Sequence, residues 1–345
     1  MGEAGLLGEF DVIARLTQVQ PTRPDVLLGS GDDAALLDAS GSHLLVATCD
    51  AQVDGVHFIR GVATYEEIGH KALAVNLSDI AAMGAEPRWA LISLLIPSEL
   101  KMSDLDQVYT GMRALAGRYS VALVGGNISF ISGPFCIDMT LLGAVSPDRV
   151  LMRSGAQPGD LILVTGKLGA AAAGALWSVS AADPALLALL SPETRERTRK
   201  AMVAPLPAVA EGRAIAESGT ATAMIDVSDG LAQDLWHICQ SSHVGAVLEA
   251  EWLPIDRPVH EVARVYGKDA LDLALYGGED YVLLCTTKED SVATLLEAIQ
   301  DAGGVGRIIG RVIDPSQGMT LRLADGELRP LEPRGWDHLA HNIYR

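Results

Sequence analysis

Apolar residues along this chain fall into short runs of strand length, separated by longer stretches with helical spacing. Leu44–Cys49 is one such run and ends on Asp50. Thr64-x-x-Glu67 has the form of a capping box, which predicts a helix from there to Gly84, a good C′ residue, with Pro87 just beyond. Trp89–Ile96 predicts a second, buried strand, Leu105–Tyr119 a helix, Val121–Val124 a short strand and Phe135–Val145 a fourth. Turn residues then cluster at Ser146-Pro-Asp148 and Gly155–Gly159, so the expected domains are 1–147 and 148–345. In the second half, strands are expected at Leu161–Thr165, Ala223–Val227, Val282–Cys285 and Arg307–Arg311. Helices are expected between them, at Gly166–Val179, Pro192–Met202 and Leu231–Ser241. The pattern is that of an α/β N-terminal domain followed by an α+β domain.

Composition narrows the classes. The 345 residues are 49% hydrophobic and 20% charged, enough to bury two cores. The net charge of −18 argues against a nucleic-acid partner, because phosphate backbones are held by Lys and Arg clusters. It is compatible with phosphorylated ligands held through Mg²⁺ on carboxylates. Cys49, Cys136, Cys239 and Cys285 lie far apart with no CxxC pair, which speaks against zinc or disulfides and for a reducing compartment. The first ten residues lack a basic signal-peptide region. No apolar run reaches the roughly 20 residues a bilayer needs, so the expectation is a cytoplasmic protein with no membrane partner.

Candidate chemistry sits where acids interrupt apolar elements. Gly29-Ser-Gly-Asp-Asp-Ala-Ala35 is a glycine-rich turn carrying two adjacent carboxylates; a solvated turn would look the same. Asp50 ends a strand, where open α/β sheets place ligand groups, and His57 follows in Val53-Asp-Gly-Val-His-Phe58. Asp79, three residues after Asn76, lies in Ala72-Leu-Ala-Val-Asn-Leu-Ser-Asp-Ile-Ala-Ala-Met83. A charge in so apolar a helix is costly unless paired or bound to metal. Met224-Ile-Asp-Val-Ser-Asp-Gly-Leu231 puts Asp226, Ser228 and Asp229 at a strand–helix junction. Capping by Ser228 or Asp229 would explain one of them but not Asp226. Tyr276-Gly-Gly-Glu-Asp-Tyr281 again sets glycines beside acids. Thr165-Gly-Lys-Leu-Gly169 lacks the Walker spacing, yet it offers a helix N-terminus for an anion. No GxSxG, HRD or DFG motif occurs.

Taken in order, these motifs resemble the thiamine-monophosphate kinase family, within the superfamily of aminoimidazole ribonucleotide synthetase. The resemblance runs collinearly from Gly8-Glu-Phe-Asp-Val-Ile-Ala-Arg-Leu16 through Arg153-Ser-Gly-Ala-Gln-Pro-Gly-Asp160 to Arg334-Gly-Trp-Asp-His338. It implies a two-domain aminoimidazole-ribonucleotide-synthetase-like fold whose N-terminal domain dimerises. It implies a kinase with ATP as co-substrate, several Mg²⁺ ions and thiamine monophosphate as acceptor. Asp33, Asp50, Asp79, Asp226 and Asp229 match the family's magnesium ligands, and Thr48 matches a hydroxyl ligand position. Cys49 stands where the family usually has Thr, which is harmless if the ligand there is the backbone carbonyl. Gly126, Asn127, Arg153 and Ser228 match ATP-contacting positions, and His57, Glu279 and Trp336 match positions near the thiamine moiety. The family usually reads Gly-Gly-Asp where this chain has Gly125-Gly-Asn-Ile-Ser129, so Asn127 offers a metal an oxygen without a charge. A related synthetase that makes formylglycinamidine ribonucleotide shares that Asn. Two alternatives therefore stay open: another ATP-dependent synthetase, and a non-catalytic paralogue that binds nucleotide or thiamine phosphates.

Overall fold

The computed structural model describes residues 23–336, apart from Ser30, Ser40 and residues 180–182. The Gly8–Leu16 motif, Asp337 and His338 therefore lie outside the described residues.

The first sheet contains β1 (Val26–Leu28), β2 (Ala35–Leu37), β3 (Leu44–Val53), β4 (Glu86–Ile96), β5 (Ala122–Phe130) and β6 (Cys136–Val145). Their order is β1-β2-β3-β6-β4-β5, antiparallel throughout except for the parallel β4–β5 pair. Two helices cover it, α1 (Tyr65–Ala82) and α2 (Met102–Tyr119). The capping box forms as the sequence predicts. Thr64 Oγ1 accepts from Glu67 N at 3.2 Å, and Glu67 Oε2 accepts from Thr64 N at 2.8 Å. The α1–α2 crossing depends on two glycines. A Cβ on Gly69 would lie 1.9 Å from Val108 O, and one on Gly111 would lie 1.8 Å from Glu66 O.

The second half begins with β7 (Leu161–Val164), α3 (Ala170–Ser178), α4 (Pro184–Leu187), α5 (Pro192–Val203) and α6 (Val209–Ser218). It continues through β8 (Ala221–Asp226), α7 (Leu231–Ser242), β9 (Gly245–Glu249), α8 (Arg257–Tyr266) and α9 (Ala270–Tyr276). It ends with β10 (Leu283–Thr287), α10 (Val292–Asp301), β11 (Arg307–Ile313), β12 (Met319–Arg322) and β13 (Leu328–Pro330). The seven strands run β13-β12-β9-β11-β7-β10-β8.

Helix α1 is buried nearly all round because it is shared. Ile68, Leu73, Leu77 and Ile80 pack into the first core, and the helix also touches β8 and α6 of the second half. That sandwiching explains why its apolar residues show no single stripe. It also carries Asp79 to the seam between the two halves.

Trp89–Ile96 differs from expectation. Only alternate residues are buried: Ala90, Ile92 and Leu94 face the core, while Trp89 and Leu91 are exposed. A β4 side chain alternates between sheet faces, and among the described residues no layer covers the outer face. The short strand expected at Val121–Val124 extends to Phe130 and places Gly126 and Asn127 within edge strand β5. None of the described helices is long and apolar enough to cross a membrane.

Candidate active site

Four elements deliver carboxylates to one cleft of about 480 Å³. The strand β3 carries Thr48, Cys49 and Asp50; α1 supplies Asp79; β8 ends on Asp226; and the turn after it carries Ser228 and Asp229. Asp33 comes from the glycine-rich turn before β2. Oxygens of Asp33, Asp79 and Asp226 lie within 4.8 Å of one another. Such a group of hard oxygen donors suits a small divalent cation. The Asp33 side chain is only 1% exposed, and its Oδ2 is buried without a hydrogen-bond partner. A buried carboxylate oxygen left unsatisfied in this way is costly unless a cation fills its lone pairs.

The neighbouring groups hold these carboxylates by hydrogen bonds. Thr48 Oγ1 donates to Asp79 Oδ2 at 2.5 Å, Ser78 Oγ to Asp226 Oδ2 at 2.5 Å, and Ser228 Oγ to Asp226 Oδ1 at 3.3 Å. The Arg153 guanidinium donates to Asp33 Oδ1 from Nη2 at 2.6 Å, and its backbone N–H donates to Asp32 Oδ2 at 3.1 Å. Burial works against the Arg153 charge, but the attraction of Asp33 and then Asp32 keeps its pKa above the ordinary value. The acids are pushed the other way. Burial, then Asp50, Asp226 and Asp33, raise Asp79 well above the carboxylate range. Burial and Asp33 raise Asp226 to about 7. Like charges crowded in low dielectric outweigh the attraction of Arg153 and give this result.

Neither Ser228 nor Asp229 caps the next helix. The N-cap of α7 is Gly230, which has no side chain, and Gly230 N donates to Asp234 Oδ2 at 3.1 Å. The helix therefore caps itself from within, and Ser228 and Asp229 face the cleft.

Beside the acids opens an apolar pocket of about 70 Å³, lined in part by Phe58, Ile68, Val179 and Met202. His57, Glu279 and Trp336 line both the cleft and this pocket. His57 Nδ1 accepts from Val53 N at 3.1 Å, which leaves the proton of the neutral ring on Nε2. Trp336 is tied to the acidic turn through its N–H, which donates to Asp229 O at 3.0 Å.

Three of the expected positions sit differently from the acids. Gly126 and Asn127 do not line this cleft. On β5 they are separated from β3 by β6 and β4, and Asn127 Nδ2 donates along its own exposed strand to Ser129 Oγ at 3.2 Å. Cys49 reaches the cleft, but its thiol turns to Asp138 Oδ1 at 3.4 Å on the outer face of the sheet. The expected role, through its backbone carbonyl, does not depend on that thiol. The helix N-terminus after Thr165-Gly-Lys-Leu-Gly169 is already filled: Gly169 N donates to both oxygens of Asp280, at 3.0 and 2.8 Å.

The structure also brings in residues that sequence reasoning passed over. Asp234 and His237 line the cleft from α7, while Asp32, one of the two carboxylates read in the glycine-rich turn, accepts from Arg153 N. Asp234 had a readable signal, since it shares the buried face of α7 with Leu231, Leu235 and Ile238. Lys71 had the same signal as Asp79, a charge within an otherwise apolar helix.

Comparisons with known proteins agree with this geometry. Residues 31–145 match the family model of the AIR synthase related protein, N-terminal domain, and residues 157–321 that of its C-terminal domain. The thiamine-monophosphate kinase of Escherichia coli (strain K12) is 36% identical over 334 residues, 96% of this chain and 98% of the relative. A solved structure described as AaThiL complexed with AMPPCP and TMP has 32% identity and a TM-score of 0.79, covering 96% of this chain and 97% of that one. The thiamine-monophosphate kinase from Stenotrophomonas maltophilia K279a has 38% identity and a TM-score of 0.74, covering 93% and 98%. With relatives this similar along nearly its whole length, the chain belongs to the thiamine-monophosphate kinase family, built on the AIR synthase related domains.

Proposed function

We propose that this protein transfers the γ-phosphate of ATP to thiamine monophosphate, giving thiamine diphosphate and ADP. The observation that carries the reading is the meeting of Asp33, Asp79 and Asp226 in a cleft that continues into an apolar pocket bordered by Trp336. A structure complexed with AMPPCP and TMP within the same family supports two such ligands together.

The attacking group is a phosphate oxygen of the acceptor, already ionised at neutral pH, so no general base is required. A new bond forms from that oxygen to the γ-phosphorus, and the bond from phosphorus to the β–γ bridging oxygen breaks, leaving ADP. The barrier lies in bringing anions together and aligning them. Mg²⁺ would be held by Asp33, Asp79 and Asp226, with Asp50, Asp229 and the Thr48 hydroxyl beside them, and would neutralise phosphate charge. Arg153 is the cation of this protein best placed to face the nucleotide phosphates, with Ser228 at the same junction. Trp336 and His57 offer the thiamine rings a wall at the apolar pocket, and the Trp336 indole can meet a cationic ring through its π face.

We take 1–147 and 148–345 as the two domains. The reading includes a homodimer formed through β4 and the edge strand β5, where Leu91, Ile128 and Phe130 are exposed. It places the enzyme in the reducing cytoplasm, in keeping with its four free cysteines.

The test is ADP release by the purified protein with Mg²⁺ and ATP, offering thiamine monophosphate beside a panel of phosphorylated metabolites that includes formylglycinamide ribonucleotide. Release stimulated by thiamine monophosphate alone is expected. Stimulation by another compound, with none from thiamine monophosphate, would overturn the reading.

A further inference from the structure

The buried part of α1 contains a second charge that the mechanism does not use. Lys71 is 3% exposed, among residues that are otherwise apolar. An ammonium so far from water is costly unless it is paired and hydrogen-bonded. Its Nζ donates to Glu279 Oε1 at 2.6 Å and to His57 O at 2.8 Å. Two residues that line both the cleft and the apolar pocket are thus held by one buried cation from a third element.

The loop that Lys71 grips is under backbone strain. Glu279 has φ of 59° and Tyr281 of 50°, in the left-handed region that favours glycine. The strained turn is tied down on both sides: Glu279 N donates to Ser228 O at 2.7 Å, and Tyr281 N to Val227 O at 2.8 Å. Gly278 (φ 69°) could not be replaced, because a Cβ there would lie 2.7 Å from Ser228 O. Strain held by so many contacts is characteristic of a side chain that must point one way. The Glu279 side chain remains one-third exposed beside the cleft.

We propose that Lys71 is a positioning residue for the acceptor substrate: it orients the Glu279 carboxylate and the His57 loop across the seam between the two halves, without touching the substrate itself. This rests on reading the pocket as the place of the thiamine moiety. The nucleotide side of the cleft, with Arg153 and Ser228, makes no hydrogen bond to Lys71.

The test compares Lys71→Met with wild type in steady-state kinetics. The expected result is a rise in KM for thiamine monophosphate of about tenfold to hundredfold, the range for a lost charge-assisted hydrogen bond, with KM for ATP changed less than about twofold. Lys71→Arg, which keeps the charge, should recover most of the loss. Because Lys71 acts in large part through Glu279, adding Lys71→Met to a Glu279→Gln background should raise KM for thiamine monophosphate by clearly less than it does in wild type, the remainder coming from its bond to His57 O. If Lys71→Met does not fold, Lys71→Gln takes its place in the same cycle. Unchanged KM for thiamine monophosphate, equal losses for both substrates, or additive effects in the double variant would overturn the proposal alone. A wild-type protein with no turnover of thiamine monophosphate would instead overturn the functional reading on which it rests.

Discussion

Asp79 concentrates the chemistry of this protein at the scale of one residue. Its carboxyl is pushed up by burial and by Asp50, Asp226 and Asp33, so as an anion it strains the fold unless a cation joins it. Asp79→Asn keeps the shape, removes that repulsion and leaves a metal only a neutral oxygen at that position. Activity should fall by at least about a hundredfold, since altering even an outer-shell partner of a metal costs about 10–100-fold. The melting temperature without divalent metal should hold or rise. Asp226 extends the same logic to pH. Its folded pKa, about 7, lies above its ordinary 3.8, so its contribution to stability is present at low pH and lost as pH rises toward 7. In EDTA the melting temperature should therefore fall between about pH 5 and about pH 8, and added Mg²⁺ should raise it more at the higher pH, where protons no longer compete. Thermal scans at both pH values, with and without Mg²⁺, check this. An Asp79→Asn protein with near-normal turnover would mean the acid is structural.

At the scale of elements, the site depends on how closely α1 and α2 approach. Gly111 lies against Glu66 O and Gly69 against Val108 O. Gly111→Ala should destabilise by about 1–3 kcal/mol or more, because backbone has to give way rather than a flexible side chain. It should also lower activity, since α1 carries Ser78 and Asp79. Gly117, in the same α2, has open space where its Cβ would go. Gly117→Ala should be neutral or stabilise by up to about 1 kcal/mol through helix propensity. Denaturant unfolding of the two variants side by side measures the difference; equal behaviour would mean the helices can slide apart. The capping box of α1 was legible in the sequence because it is a local contact. The short β9, β12 and β13 were not, since three to five residues hold too little periodicity. Helix α8 was legible in principle: Val259, Val262, Ala263 and Tyr266 repeat at helical spacing.

For the whole molecule, the proposed homodimer rests on the exposed apolar residues of β4 and the edge strand β5. Trp89, Leu91, Val124, Ile128 and Phe130 are 40–70% exposed on neighbouring strands β4 and β5. Adjacent apolar side chains of this size at a sheet edge mark an association surface. A homodimer through these strands predicts that Ile128→Asp combined with Phe130→Asp gives a monomer by sedimentation at micromolar concentration, while wild type sediments as a dimer. A wild-type monomer, or a dimer that survives both charges, would place the interface elsewhere.

The sequence by itself determined the alternation of strands and helices, the α1 capping box and the identity of most acids in the cleft. These signals are local: a carboxylate inside an apolar run is anomalous wherever that run ends up. Arrangement was decided only in three dimensions. Asp33 and Asp226 are far apart in the chain, and the folding of the second half against α1 brings their oxygens together with Asp79. Sheet order put Gly126 and Asn127 outside the cleft, though their motif resembles a nucleotide-contacting one. Lys71 shows the same division. Its charge in an apolar helix could be read from the chain, but its partner, 208 residues away, could not. A buried charge announces that it needs a counter-charge, and only tertiary packing decides which one it meets.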